Sequence, residues 1–80
     1  MRAKQNYLII ERLKIVQESI EIGNYPSIAL LRKKILDRLG TDVSILTVRR
    51  DLDFLRYRFG MNIRYDSYRR GYYIEPADSN

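Results

Sequence analysis

The sequence predicts a mainly helical domain in which three helices precede a small two-stranded β-hairpin. Three features carry this prediction. Apolar residues recur at helical spacing in three separate segments before residue 60. After Gly60 the spacing of apolar residues changes to two, which is typical of β-strands. Glycine or proline stands between the segments, where these residues end helices and form turns.

The first helix is predicted over residues 5–22. Its apolar stripe has the spacing of a one-sided helix and consists of Ile9, Leu13, Val16 and Ile20, broadened by Tyr7, Ile10 and Ile22. Gly23 stands where a left-handed C-cap is expected. Tyr25 precedes Pro26, and this position disfavours α geometry. The helix is therefore expected to end at about residue 22.

The second helix is predicted to begin after Ser27, whose hydroxyl can cap the first turn. Its inner line consists of Leu31, Ile35 and Leu39, widened by Leu36. Gly40 suits the C-cap of this helix. Residues 41–43 then form a connector near the length of the turn in a helix-turn-helix.

The third helix is predicted to begin after a Ser44 cap and to end at Gly60. The side predicted to face the core consists of Ile45, Val48, Leu52, Leu55 and Phe59. The residues predicted to point away from it are Leu46, Thr47, Arg50, Phe54 and Tyr57, with Arg49 on the flank. This helix therefore presents a polar and basic face in its first two turns.

Two strands follow Gly60 in the sequence. Ile63 and Tyr65 alternate with polar neighbours, as do Tyr72 and Ile74 in the second strand. The loop between them is residues 66–71, in which Gly71 is expected to relieve a backbone bend. Helix, helix, turn, helix and hairpin form the order of a winged helix-turn-helix. We assign residues 1–75 to this domain and residues 76–80 to a linker or disordered end.

The composition narrows the functional classes. The 80 residues include no cysteine and no histidine, and the net charge is +5. An enzyme is not expected, since the usual bases, nucleophiles and metal ligands are missing and no glycine-rich phosphate loop is present. No cofactor is expected.

No apolar run approaches a membrane helix or a secretory signal, so the expected location is the cytoplasm. The basic excess favours polyanionic partners such as DNA.

The first turns of the third helix carry the candidate DNA contacts. A helix-turn-helix places this segment in the major groove, where arginine can bond guanine bidentately and small hydroxyl residues can reach phosphates or bases. The candidates are Ser44, Leu46, Thr47, Arg49 and Arg50. The alternative is that both arginines are solvated surface charges, or that Arg50 pairs with Phe54 or Asp53. Asp51 and Asp53 are expected to pair with neighbouring arginines.

The hairpin loop carries three further candidates, Tyr68, Arg69 and Arg70. Arginines at a hairpin tip can reach phosphates or enter a minor groove rich in A·T pairs. The alternative is an edge hairpin whose charge prevents aggregation. The basic run of residues 32–34 can contact phosphates or form a solvated face. Two rival functions are protein–protein contact or dimerisation through exposed aromatic residues, and RNA binding.

Two segments resemble a known family. Residues 44–55, SILTVRRDLDFL, resemble the S-x-x-T-[VI]-x-R-D-L-x-x-L pattern of the DeoR-like and WYL-domain transcription regulators. Residues 62–74, NIRYDSYRRGYYI, resemble the wing of the WYL group, and residues 25–27 resemble the entry to its second helix. The family usually has polar residues where this chain has Ile45 and Leu46.

The resemblance implies the winged DNA-binding domain of a bacterial regulator, with Thr47 and Arg50 facing DNA and with Val48 and Leu52 in the core. The family also has a C-terminal WYL sensing domain. The chain is therefore expected to be either an excised N-terminal domain or a stand-alone regulator. The expected partners are double-stranded DNA, a second copy in a homodimer because operators are usually read by dimers, and that sensing domain if the chain is a fragment.

Overall fold

The computed structural model describes the backbone of residues 2–76 and the side chains of residues 7–76. It contains three helices, α1 (Arg2–Glu21), α2 (Ile28–Leu39) and α3 (Ile45–Tyr57), followed by strands β1 (Ile63–Asp66) and β2 (Gly71–Ile74). The two strands form one antiparallel hairpin. The predicted winged-helix order is confirmed. Residues 77–80 of the predicted linker lie outside the described residues, and Pro76 is exposed.

One apolar core lies between the three helices and the hairpin. Every described element except β2 contributes at least one fully buried side chain to it, and the cluster consists of Leu13, Ile15, Val16, Ile20, Leu31, Ile35, Val48, Leu52, Leu55 and Ile63. Each such side chain stabilises the fold by roughly 1.5–3 kcal/mol relative to exposure. The predicted inner lines of α2 and α3 are thus confirmed in their central turns.

Local capping sets the ends of α2 and α3. The Oγ atoms of Ser27 and Ser44 each accept a hydrogen bond of 3.1 Å, from the backbone N–H of Leu30 and of Thr47 respectively. Gly40 adopts φ +69°, and its N–H donates to the carbonyl of Leu36 at 2.8 Å. Both helices begin where the sequence predicted, because a serine hydroxyl satisfies a backbone N–H that has no partner within the helix.

The predicted apolar stripe of α1 is wrong at its two ends. Leu13, Val16 and Ile20 are buried, but Ile9 remains 43% exposed although it lies in phase with them. Three further residues of the predicted stripe are exposed: Tyr7, Ile10 and Ile22. In the first half of α1, the neighbouring elements lie along its flanks, where they form open grooves against Leu8, Ile9 and Ile10 instead of covering them. Ile22 follows the last residue of α1, so helical periodicity no longer applies to it.

Two other predicted core positions are also exposed. Leu36 lies about 100° around the helix from Ile35 and is not covered by a neighbouring element. Phe59 follows the end of α3 at Tyr57 and is 61% exposed, so helical periodicity no longer applies to it. Its ring instead contacts that of Phe54, with 5.6 Å between the centroids.

The hairpin is joined to the loop between α1 and α2. The N–H of Tyr72 donates to the carbonyl of Pro26 at 2.9 Å. The centroids of the Tyr25 and Tyr73 rings lie 5.4 Å apart. The expected role of Gly71 is wrong, because the left-handed bend falls on Arg70 at φ +59°. Gly71 is required for another reason, which is that a Cβ there would overlap the carbonyl oxygen of Tyr25.

Candidate nucleic-acid interface

The start of α3 is organised by its capping serine. Besides accepting from the backbone of Thr47, Ser44 Oγ lies 3.1 Å from Thr47 Oγ1, so the two hydroxyls also share a hydrogen bond. Thr47 is half-buried. Both residues therefore fix the first turn of the helix, and each keeps some hydrogen-bonding capacity toward a ligand.

Arg49 and Arg50 lie on the exposed side of α3. Among the described residues neither guanidinium has a hydrogen-bond acceptor or a carboxylate partner. Asp53, the alternative partner of Arg50, instead accepts from Arg56 at 3.0 Å. Leu46 is 56% exposed and precedes Arg50 by one helical turn, so the two share a face. This face presents two free cations beside an exposed apolar side chain.

Asp51 does not pair with a neighbouring arginine, and that expectation is wrong. Its carboxylate accepts two hydrogen bonds from Arg12 of α1, at 2.6 Å from Nε and 2.9 Å from Nη2. The Asp51 side chain is 6% exposed and that of Arg12 is 19% exposed. The ion pair therefore joins the middle of α3 to α1 from within the domain. The negative charge of Asp51 is thereby neutralised beside the basic face.

The sequence held a signal for this ion pair. Asp51 lies between Val48, Leu52 and Leu55, on the buried side of α3. A carboxylate at such a position requires a cation, since an unpaired buried charge is strongly unfavourable. Arg12 is likewise a charged residue next to a buried one, because Leu13 follows it on α1. The identity of the partner depends on how α1 and α3 pack, which the sequence pattern does not contain.

The basic run on α2 is largely engaged within the domain. Arg32 Nε donates to the carbonyl of Val43 at 2.7 Å, and its Nη2 lies 3.1 Å from Asp42. Lys33 pairs with Asp37 at 2.9 Å. Arg32 therefore fixes the connector that leads into α3. Lys34 has no carboxylate partner among the described residues, so it is the member of the run with a free charge.

The three candidate residues of the wing loop differ in their contacts with the rest of the domain. Arg69 is held in place, since its guanidinium lies 3.3 Å from Asp66 and 4.6 Å above the centre of the Tyr25 ring. Tyr68 is 92% exposed, and Arg70 is also exposed with no carboxylate partner among residues 7–76. The tip of the wing therefore offers Tyr68 and Arg70, while Arg69 positions the loop against the rest of the domain.

Asp66 organises this loop through its carboxylate. One oxygen accepts from the backbone N–H of Arg69 at 3.0 Å and of Tyr68 at 2.9 Å. The bond from the Arg69 backbone is the largest cause that lowers the pKa of Asp66 below its ordinary value of 3.8, and partial burial opposes it. The Tyr68 backbone and the Arg69 guanidinium lower the pKa further.

We expect the loop to loosen in acid, below pH 3.8. Because the folded-state pKa of Asp66 is depressed, the carboxylate contributes stability above pH 3.8 and loses it as the pH falls through the folded-state pKa. The amide chemical shifts of Tyr68 and Arg69, followed by NMR from pH 6 to pH 2, should titrate with a midpoint below 3.8. A midpoint at or above that value would show that the loop carboxylate is not hydrogen-bonded as described.

Within residues 2–76, no group of three or more acidic side chains lies close enough together to hold a metal ion. In the same range, no helix has both the length and the apolar character needed to cross a bilayer. Comparison with known protein families, curated proteins and solved structures found no match to this chain. The assignment of function therefore depends on the residues themselves.

Proposed function

We propose that this domain binds double-stranded DNA sequence-specifically in transcriptional regulation, with α3 in the major groove. One observation carries the proposal. Asp51, Asp53 and Arg56 on α3 are all engaged in contacts within the domain. The two remaining charged residues of the helix, Arg49 and Arg50, are exposed in its first two turns without a partner among the described residues.

The chemistry of this face fits a base-reading role. A guanidinium can bond O6 and N7 of guanine bidentately, and an apolar side chain such as Leu46 can contact a thymine methyl group. The N-terminus of α3, where Ser44 and Thr47 lie, carries the positive end of the helix dipole and favours a phosphate. The wing supplies Tyr68 and Arg70 to the phosphate backbone or the minor groove, with Arg69 as a positioning residue.

The family resemblance extends the proposal to biological context. The pattern of residues 44–55 and that of residues 62–74 lie on α3 and on the wing, the two elements that would contact DNA. We therefore propose that the chain is the DNA-binding part of a cytoplasmic bacterial regulator related to the WYL group. A C-terminal sensing domain would then be its partner in a longer protein.

A double substitution on α3 tests the proposal. We expect Arg49→Ala/Arg50→Ala to raise the Kd for duplex DNA by roughly tenfold to a hundredfold at low salt, because two direct contacts are lost. The preference for the selected duplex over the random one should also fall, because contacts to base edges carry the sequence information. Fluorescence anisotropy with random and selected duplexes, from about 50 to 300 mM salt, measures both quantities.

The matched control removes the same charge elsewhere. Lys14 lies on the outer side of α1, about 200° around the helix from Arg12, which contacts α3. Arg38 faces Glu18 of α1 at 3.7 Å. Lys14→Ala/Arg38→Ala should weaken binding by no more than about threefold, through net charge alone. Equal weakening by both double variants, or absence of binding by the parent domain at low salt, would contradict a reading role for α3.

A further inference from the structure

An apolar patch covers the first half of α1 and the adjoining end of α3. It consists of six side chains that are 40–62% exposed, namely Tyr7, Leu8, Ile9, Ile10, Phe54 and Phe59. We call it the α1–α3 patch. None of the candidate DNA contacts belongs to it. Phe54 lies one helical turn after Arg50, so the patch borders the basic face of α3 without including its arginines.

The sequence of α1 shows why this patch needs a partner. Residues 7–10 are four consecutive apolar residues, which at 100° per residue cover about 300° of the helix circumference. A helix that is apolar on all sides is typical of a buried element, whereas the core of this domain covers α1 on one side only. The remaining sides of this segment need a covering that the described residues do not provide.

The patch contains a groove without polar side chains. Ile9, Ile10, Leu13, Phe54 and Phe59 line it, between the ridge of α1 and the end of α3. On the other flank of the same ridge, Leu8 and Ile9 line a second groove together with Leu39 and Val43, and this groove also contains Arg12 and Thr41. The uninterrupted apolar surface therefore lies on the α3 side of the ridge.

The area of the patch approaches one side of a stable protein interface. Six side chains of about 200 Å² each, half exposed on average, present on the order of 600 Å². A standard interface buries about 800 Å² on each partner, so the patch itself accounts for about three quarters of that area. Isolated exposed apolar residues, which every protein has, do not form a continuous surface of this size.

We infer that the α1–α3 patch is the site at which a second copy of this chain docks. A two-fold axis brings the same surface of both copies together, so a patch without charge is complementary to itself. The α1 ridge of each copy then lies in the groove between α1 and Phe54 of the other, as helical ridges pack into grooves. No charged side chain lines this groove, so it offers no ion pair to a charged partner. The net charge of +5 on each copy is carried by other surfaces.

The dimer does not depend on the proposed DNA binding, and the two respond oppositely to salt. Salt screens the repulsion between two copies of charge +5, so dimerisation should hold or strengthen between about 50 and 500 mM salt. Binding to DNA should weaken steeply over the same range. Failure of the dimer is therefore distinguishable from failure of DNA binding.

Sedimentation equilibrium of the 80-residue chain without DNA tests the inference. We expect dimers with a Kd on the order of 10 µM, given the modest area. Ile10→Glu should raise this Kd at least about tenfold, since it buries a charge in the contact. Ile22→Glu is the matched control, because Ile22 is 64% exposed near the opposite end of α1 and lies outside the patch. It should change the Kd by less than about twofold.

Phe59→Ser provides an independent variant, because Phe59 lies outside every helix and its replacement changes no helical residue. It should also weaken the dimer, while circular dichroism shows that all variants keep their helices. A parent chain that stays monomeric up to about 500 µM would overturn the inference, since a specific interface binds well below that concentration. Equal dissociation by Ile22→Glu would overturn it as well. Larger assemblies in place of a dimer would exclude the two-fold contact.

Discussion

Arg12→Ala is expected to destabilise the domain by about 3–5 kcal/mol, because it breaks a buried ion pair by removing one partner. The substitution leaves the Asp51 carboxylate, which is 6% exposed, without the two hydrogen bonds that compensate its burial. For a domain of this size the loss corresponds to a fall in Tm of roughly 12–40 °C. Urea denaturation and thermal melting followed by circular dichroism measure it.

Two control variants show whether the loss of stability comes from the buried position of the ion pair or from the loss of a charge alone. Lys33→Ala breaks an exposed ion pair with Asp37 and should cost less than about 0.5 kcal/mol. The double variant Arg12→Met/Asp51→Leu removes both buried charges and should recover most of the lost stability, because apolar replacements of similar size often match a buried ion pair. If Arg12→Ala cost no more than Lys33→Ala, the Arg12–Asp51 pair would not hold α1 and α3 together.

Gly71→Ala is expected to destabilise the domain by about 2–4 kcal/mol, although it adds only one methyl group. The new Cβ would overlap the carbonyl oxygen of Tyr25, so β2 must move away from the loop between α1 and α2. That movement breaks the hydrogen bond from the Tyr72 N–H to the Pro26 carbonyl. Urea denaturation gives the loss in stability, and faster amide exchange at Tyr72 shows that the wing has separated.

Gly40→Ala is the matched control for this substitution. Gly40 has φ +69°, which is strained for alanine, yet no atom lies within 4 Å of the position that a Cβ would occupy. The expected cost is about 1–2 kcal/mol of backbone strain. A Gly71→Ala variant that keeps normal protection of the Tyr72 amide would show that the close approach to Tyr25 does not constrain the wing.

The local features of the fold followed from the sequence. Serine caps, a C-cap glycine and helical periodicity act within one turn, so the starts of α2 and α3 were predicted correctly. The exposure of Ile9 and Phe59 was not predicted, because it depends on how closely the neighbouring elements pack against α1 and on where α3 ends. The need for Gly71 was also missed, since it arises from a neighbour in a distant loop rather than from the turn itself.

For the candidate interface, the sequence predicted which side chains of α3 are exposed but not which arginine of the wing is held by other residues. Exposure of Leu46, Arg49 and Arg50 follows from their phase on α3, and the structure agrees with it. The distinction between Arg69 and Arg70 was not accessible, because it depends on the Tyr25 ring lying beneath one guanidinium. Two adjacent arginines in a loop are equivalent in sequence, and only their tertiary contacts separate a positioning role from a free charge.

The contact between Tyr72 and Pro26 has a consequence for how this domain can diverge among relatives. Each strand of the hairpin has four residues, too few for a hairpin to persist unaided. The wing therefore takes part of its orientation from the loop after α1, whose Tyr25 ring also lies beneath Arg69. An insertion in that loop would redirect the tip of the wing, while the contact of Arg56 with Ile63 keeps β1 beside α3. Changes in the reach of the wing and changes in the proposed base contacts of α3 can thus accumulate independently.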